Sequence, residues 1–126
     1  MKFRLFGIYV DNQEKALKFY TEVLGFTKHS DFPVGEARWL TLSSEGAGDV
    51  ELVLEPNSNP ISSTYQQALF QAGIPAMGFA VEDIQAEYAR LKQLGVAFHQ
   101  EPTSMGPVTV AVFDDTCGNL VQLIQG

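Results

Sequence analysis

The chain repeats itself, and that repeat limits its fold more than any single motif does. Val10 and Val81, Asn12 and Asp83, Gly35 and Gly106, and Glu51 and Gln122 are each 71 positions apart (81 − 10 = 71). Gly25 and Gly95, and His29 and His99, are 70 apart (95 − 25 = 70), so one residue is gained or lost near a helix exit. Caps, stops and turns that recur at nearly one offset mark a duplicated supersecondary unit rather than two unrelated amphipathic stretches.

Each copy reads as strand, helix, strand, strand, strand. In the first, residues 3–10 are rich in β-branched and aromatic side chains and predict a strand. Asp11 and Asn12 offer N-cap oxygens, Ala16, Leu17, Tyr20, Val23 and Leu24 fall at helical spacing, and Gly25 supplies the C-terminal stop. Strands follow at 26–29, 37–42 and 50–54, with turns at Pro33–Gly35 and around Gly46 and Gly48. Residues 56–59 break the pattern, and Asn59 with Pro60 opens a connecting helix over 61–72, stopped by Gly73 and Pro75. The second copy gives a strand at 76–81, a cap at Asp83, a helix carrying Ile84, Tyr88, Leu91 and Leu94, and a stop at Gly95. Strands at 96–99, 108–113 and 120–124 follow, with turns at 102–107 and 114–119.

The expected fold class is therefore α+β: two βαβββ modules forming a curved mixed sheet around a cup-shaped pocket. Residues 1–126 read as a single domain, with module 1 at about 1–55, a connecting helix at about 56–75 and module 2 at about 76–126. Alternation puts Phe6, Ile8 and Val10 on one face of the first strand and Leu5, Gly7 and Tyr9 on the other. In the repeat, Met77, Phe79 and Val81 oppose Ala76, Gly78 and Ala80. The bulky sets are expected beneath the helices, and the smaller sets leave room for a ligand.

Composition narrows the partners. The net charge is −7 and the 8 Lys and Arg residues are dispersed, whereas a phosphate-binding surface needs them clustered, so neither nucleic acid nor an anionic membrane is expected. No apolar run approaches the roughly 20 residues that span a bilayer, and no signal-peptide pattern opens the chain, so a cytoplasmic location is expected. Cys117 is alone, which rules out an internal disulfide and reads as a small turn residue.

The sequence Val10-Asp11-Asn12 leads into Lys18-Phe19-Tyr20-Thr21-Glu22-Val23-Leu24-Gly25-Phe26; Phe79-Ala80-Val81-Glu82-Asp83 and Asp115-Thr116-Cys117-Gly118-Asn119-Leu120-Val121-Gln122 come later. Together these segments resemble the vicinal oxygen chelate superfamily, which includes glyoxalase I, bleomycin-resistance proteins, fosfomycin-resistance enzymes and extradiol dioxygenases. Enzymes of that family hold a divalent metal in the cup, on ligands from the first and last strand of each module. Carried over, those positions are Leu5, Glu51, Ala76 and Gln122. The resemblance thus implies the scaffold, while two aliphatic side chains stand where histidine is usual. One carboxylate and one amide fall short of the three or four donors a tight transition-metal site takes, so no metal cofactor is expected. The two histidines, His29 and His99, lie past helix exits and away from the expected ligand strands.

Glu51 and Gln122 are assigned to the pocket, against the alternative that each faces solvent on its strand. There Glu51 is expected to be partly desolvated, with a raised pKa, acting as acceptor or general base. A buried amide at Gln122 needs a partner, and Glu51 is the natural one. Tyr9, Trp39 and Tyr65 are placed near the ligand, Phe79 in the core, and Phe70 and Phe113 as further apolar area. Met105-Gly106-Pro107 reads as a rim, mobile or rigid, and the Asp114-Asp115 pair as part of a hairpin turn rather than an acid–base pair.

Three functions compete. The first is a metal-independent protein that binds or sequesters a small apolar or amphipathic molecule, similar to the bleomycin-resistance branch and, by that resemblance, a homodimer. The second is a lyase, isomerase or dioxygenase of the glyoxalase I type, using Glu51 as metal ligand or general base. The third is an interaction module whose cup is filled by its own side chains.

Overall fold

β1 (Leu5–Val10) buries Ile8 and Val10 as the alternation expects and leaves Gly7 and Tyr9 on the opposite face, but Phe6, expected beneath the helix with them, is 48% exposed. The computed structural model describes residues 1–126, and these divide into two units, Met1–Thr64 and Tyr65–Gly126.

In the first unit, the Asn12 side chain accepts from the Lys15 N–H at 2.9 Å and starts α1 (Gln13–Lys18). The helix then widens into a π-helical segment, Phe19–Val23, closed by the Leu24 N–H on the Phe19 carbonyl at 3.1 Å. The single uninterrupted helix expected from the spacing is thus two segments, with adjacent Phe19 and Tyr20 both buried in the wider turn. Strands β2 (Thr27–Val34), β3 (Ala37–Ser43) and β4 (Glu51–Pro56) complete a sheet of order β1-β4-β3-β2. The β1/β4 pair is parallel and the other two pairs are antiparallel.

Register sorts this sheet into two faces. Ile8, Val10, Leu40, Leu42 and Leu54 share one and are buried with Ala16, Phe19 and Tyr20 of the helical segment. Leu5, Gly7, Tyr9, Trp39, Thr41, Glu51, Val53 and Glu55 share the other. The β3/β4 ladder runs from Ser43↔Glu51 to Thr41↔Val53. Beyond that, Gln13 joins the two strands: its amide nitrogen donates to the carbonyls of Arg38 and Leu54, both at 2.8 Å, and its oxygen accepts from the Arg38 N–H at 3.2 Å. One side chain of α1 thereby completes the hydrogen bonding of two strands.

In the second unit, Asp83 caps α3 (Ile84–Gln93), accepting from the Ala86 N–H at 3.1 Å. Strands β5 (Met77–Ala80), β6 (Phe98–Met105), β7 (Val108–Asp114) and β8 (Leu120–Gln125) form a second sheet, β5-β8-β7-β6, with β5 parallel to β8. Helix α2 (Pro60–Gln71) links the sequences of the two units. The α+β class and the two βαβββ modules expected from the repeat are both present.

Four details differ from the sequence expectation. Pro33 and Pro102 lie inside β2 and β6 rather than in turns; both strands are sheet edges, where a missing N–H costs no ladder bond. The turn expected over 102–107 shrinks to the two residues between β6 and β7. Phe79, expected in the core, is only half-buried.

The fourth detail is register. Phe6 pairs with Leu52, and Met77 with Val121. Phe6 to Met77 is 71 positions (77 − 6), but Leu52 to Val121 is 69 (121 − 52). Likewise Ser43 pairs with Glu51 and Asp114 with Leu120 (114 − 43 = 71; 120 − 51 = 69). The connection before β4 is two residues longer than the one before β8. By ladder position Glu51 therefore corresponds to Leu120, and Gln122 corresponds to Val53, so the 71-residue match of Glu51 with Gln122 does not hold in the sheets.

Candidate functional site: a fully engaged carboxylate

Glu51 begins β4, between β1 and β3, and its backbone N–H donates to the Arg4 carbonyl at 3.0 Å. Its side chain is 8% exposed. Three groups reach it. The Thr41 hydroxyl donates to Oε1 at 2.6 Å, His29 Nδ1 lies 2.9 Å from the same oxygen, and the Arg4 guanidinium pairs with Oε2. Thr41 is fully buried, and its oxygen also accepts from the Ser30 N–H at 3.1 Å.

This environment reverses the expected titration. The Thr41 hydrogen bond chiefly, and then the Arg4 guanidinium, hold the Glu51 carboxyl below its ordinary value, outweighing the upward push of burial. The expectation of a raised pKa considered desolvation alone; donors that stabilise the ionised form win.

His29 is the second correction. It sits at a bulge in β2, where the register shifts between Lys28 and Ser30, and there it meets Glu51 instead of lying apart from the ligand strands. Its counterpart His99 occupies the matching bulge of β6, between Phe98 and Gln100, and packs edge-on against Phe70 with ring centroids 5.9 Å apart. Leu120 takes Glu51's place in that unit and Val112 takes Thr41's, so the polar cluster exists once, not twice.

The remaining candidates fall in different settings. Tyr9 and Trp39 are half-buried on the Glu51 face of the first sheet. Tyr65 lies on α2, more than half exposed, and Leu5 is 46% exposed opposite Glu51. Gln122 is half-buried and pairs with Gly78; its amide oxygen lies 3.7 Å from where a Cβ of that glycine would be. Asp115 is buried and accepts from the Cys117 N–H, the Asn119 N–H and the Asn119 amide, while Asp114 accepts from the Thr116 N–H, so this pair builds the turn.

Sequence reasoning passed over Arg4, Thr41 and Glu55. Glu55 shares Glu51's face four residues on, opposite Tyr9, and its Oε2 lies 2.5 Å from the position a Cβ on Gly7 would take. Only glycine at position 7 lets the carboxylate lie there. The alternation Glu51-x-Val53-x-Glu55 was the available signal.

The family model of the Glyoxalase/Bleomycin resistance protein/Dioxygenase superfamily matches residues 2–123, and the chain belongs to that superfamily. Among curated proteins, YurT of Bacillus subtilis (strain 168) is 55% identical over 126 residues, covering 99% of both chains. Among solved structures, UcmS2 is 35% identical with a TM-score of 0.84, covering 98% of this chain and 97% of that one. TnmS3, an antibiotic binding protein from Streptomyces sp. CB03234, is 31% identical with a TM-score of 0.77, covering 99% and 95%. No helix is long and apolar enough to cross a membrane.

The residues at the family's metal positions do not fit a divalent ion. Leu5 and Ala76 are aliphatic, Gln122 is neutral, Leu120 at the ladder place that matches Glu51 is aliphatic too, and both Glu51 oxygens are already engaged by Arg4, Thr41 and His29. No three His, Cys, Asp or Glu side chains converge as a ligand set.

Proposed function

We propose that this chain binds a small organic molecule, apolar or amphipathic, without a metal and without chemically converting it. The observation that carries the reading is the state of Glu51. In the superfamily's metal enzymes the matching position supplies a ligand; here the carboxyl is buried, held below its ordinary pKa, and engaged by Thr41, Arg4 and His29. A carboxylate so engaged ties β2, β3, β4 and the residue just before β1 to one point. It is poorly suited to abstract a proton, because an effective general base has a pKa near the working pH and Glu51 is held the other way.

Likeness to TnmS3 over nearly the whole chain supports a binding role. So does the makeup of the Glu51 face, where Tyr9, Trp39 and Val53 supply apolar area beside a few fixed polar groups, the usual composition of a small-molecule site.

The test is a calorimetric and thermal-shift screen of aromatic natural products in buffer containing EDTA. Saturable binding with one site per chain, unchanged by added Zn, Ni or Mn, is the expected result. Binding that appears only with a divalent ion, or turnover of a bound compound that Glu51→Gln abolishes, would overturn the reading.

A further inference from the structure

Glu55 differs from every other carboxylate on its sheet face. Both Glu51 oxygens are engaged, whereas no hydrogen bond or ion pair of the chain engages the Glu55 carboxylate. It is half-buried, and it lies across the backbone of Gly7. Its parallel ladder partner is Tyr9, and Trp39, two residues along β3 from Thr41, falls on the same face. Between Trp39 and Glu55 the two strands are no longer paired directly; Gln13 bridges them through Arg38 and Leu54. The corresponding place in the second unit holds Ile124, whose Cδ1 lies 3.0 Å from a Cβ built on Gly78. A carboxylate at this point is therefore not demanded by the module, since an aliphatic side chain fills it equally well.

A half-buried carboxylate without a donor loses hydration and gains no protein partner in return. Tyr9 and Trp39 share its sheet face, and aromatic rings of this kind attract cations. The net charge of −7 favours the approach of positive ligands. From these observations we infer that the small molecule bound on the Glu51 face carries an organic ammonium group, received by Glu55 beside Tyr9 and Trp39. This rests on the binding reading above and names the ligand's charge class.

Trp39 is the sole tryptophan, so its fluorescence reports on the site directly. Choline and its uncharged carbon isostere, 3,3-dimethylbutan-1-ol, are titrated into the full chain and into Glu55→Gln, and a panel of uncharged aromatic compounds is titrated in parallel. Saturable quenching by choline, with binding about tenfold tighter than the isostere and a preference lost in Glu55→Gln, is the expected result. Equal binding of choline and isostere to the unmodified chain, or a preference that survives Glu55→Gln, overturns the inference. If uncharged aromatics bind and choline does not, the ammonium inference fails and the binding reading stands. If neither class binds, both fail. Glu55→Gln keeps the size of the side chain, and a melting temperature matching the unmodified protein confirms that lost preference is not lost folding.

Discussion

The Thr41 hydroxyl donates to Glu51 Oε1 at 2.6 Å while its oxygen accepts from the Ser30 N–H at 3.1 Å, so one buried side chain joins β2, β3 and β4. Thr41→Val keeps the shape and removes both bonds, leaving the half-buried Ser30 N–H and the buried Glu51 carboxylate each short of a partner. The expected loss is about 1–3 kcal/mol of unfolding free energy in urea titrations, with Thr41→Ser close to the parent. A Thr41→Val protein as stable as the parent would show that the contact contributes nothing.

Acid stability follows from the sign of two shifts. Glu51 is held below its ordinary 4.5, and the Arg38 guanidinium, with Lys28, pulls Asp31 from 3.8 down to about 2. A carboxyl whose folded-state pKa is depressed stabilises the fold fully above its unfolded value, and that contribution is lost as pH falls through the folded value. On account of these groups, unfolding midpoints should be level above about pH 5 and decline from there toward pH 2. Glu51→Gln should decline less steeply over the same window. Identical slopes in parent and variant would contradict the assignment.

Gln13 should matter to the sheet more than its place on a helix suggests. Gln13→Ala removes three hydrogen bonds between α1 and the strands β3 and β4. About 1–3 kcal/mol of stability should go with them, and the Arg38 amide should exchange with deuterium faster. Gln13→Glu retains the acceptor but sets a carboxylate against two carbonyls, so it should cost at least as much as alanine.

In the second unit, Gln66 is the matching anchor. Its buried amide donates to the Cys117 carbonyl at 3.1 Å and to Asn119 Oδ1 at 3.3 Å, holding α2 against the turn that Asp115 builds. Gln66→Leu should lower stability by about 1–3 kcal/mol. The loss should grow less than additively when combined with Asn119→Ala, because the two share a bond.

Most of this architecture is visible in the sequence because it rests on local physics. Asn12 and Asp83 cap helices, Gly25 and Gly95 adopt positive φ where those helices stop, and apolar alternation sets the buried faces. What escapes is whatever depends on register. The bulge at His29 and the longer connection before β4 carry no composition signal. Yet together they decide that His29 reaches Glu51 and that Leu120, not Gln122, stands in the matching place. Arg4 was invisible for a related reason: it precedes β1, and only the parallel ladder sets it beside Glu51. The direction of the Glu51 shift needed those neighbours to be known.

The central claim is that Glu51 is an internal structural anion rather than a metal ligand. Elemental analysis of the chain purified without chelator and dialysed against metal-free buffer tests it most directly. The account predicts well under one Zn, Ni, Mn or Fe ion per chain, unchanged in Glu51→Gln. One tightly held ion per chain that disappears in Glu51→Gln would contradict it.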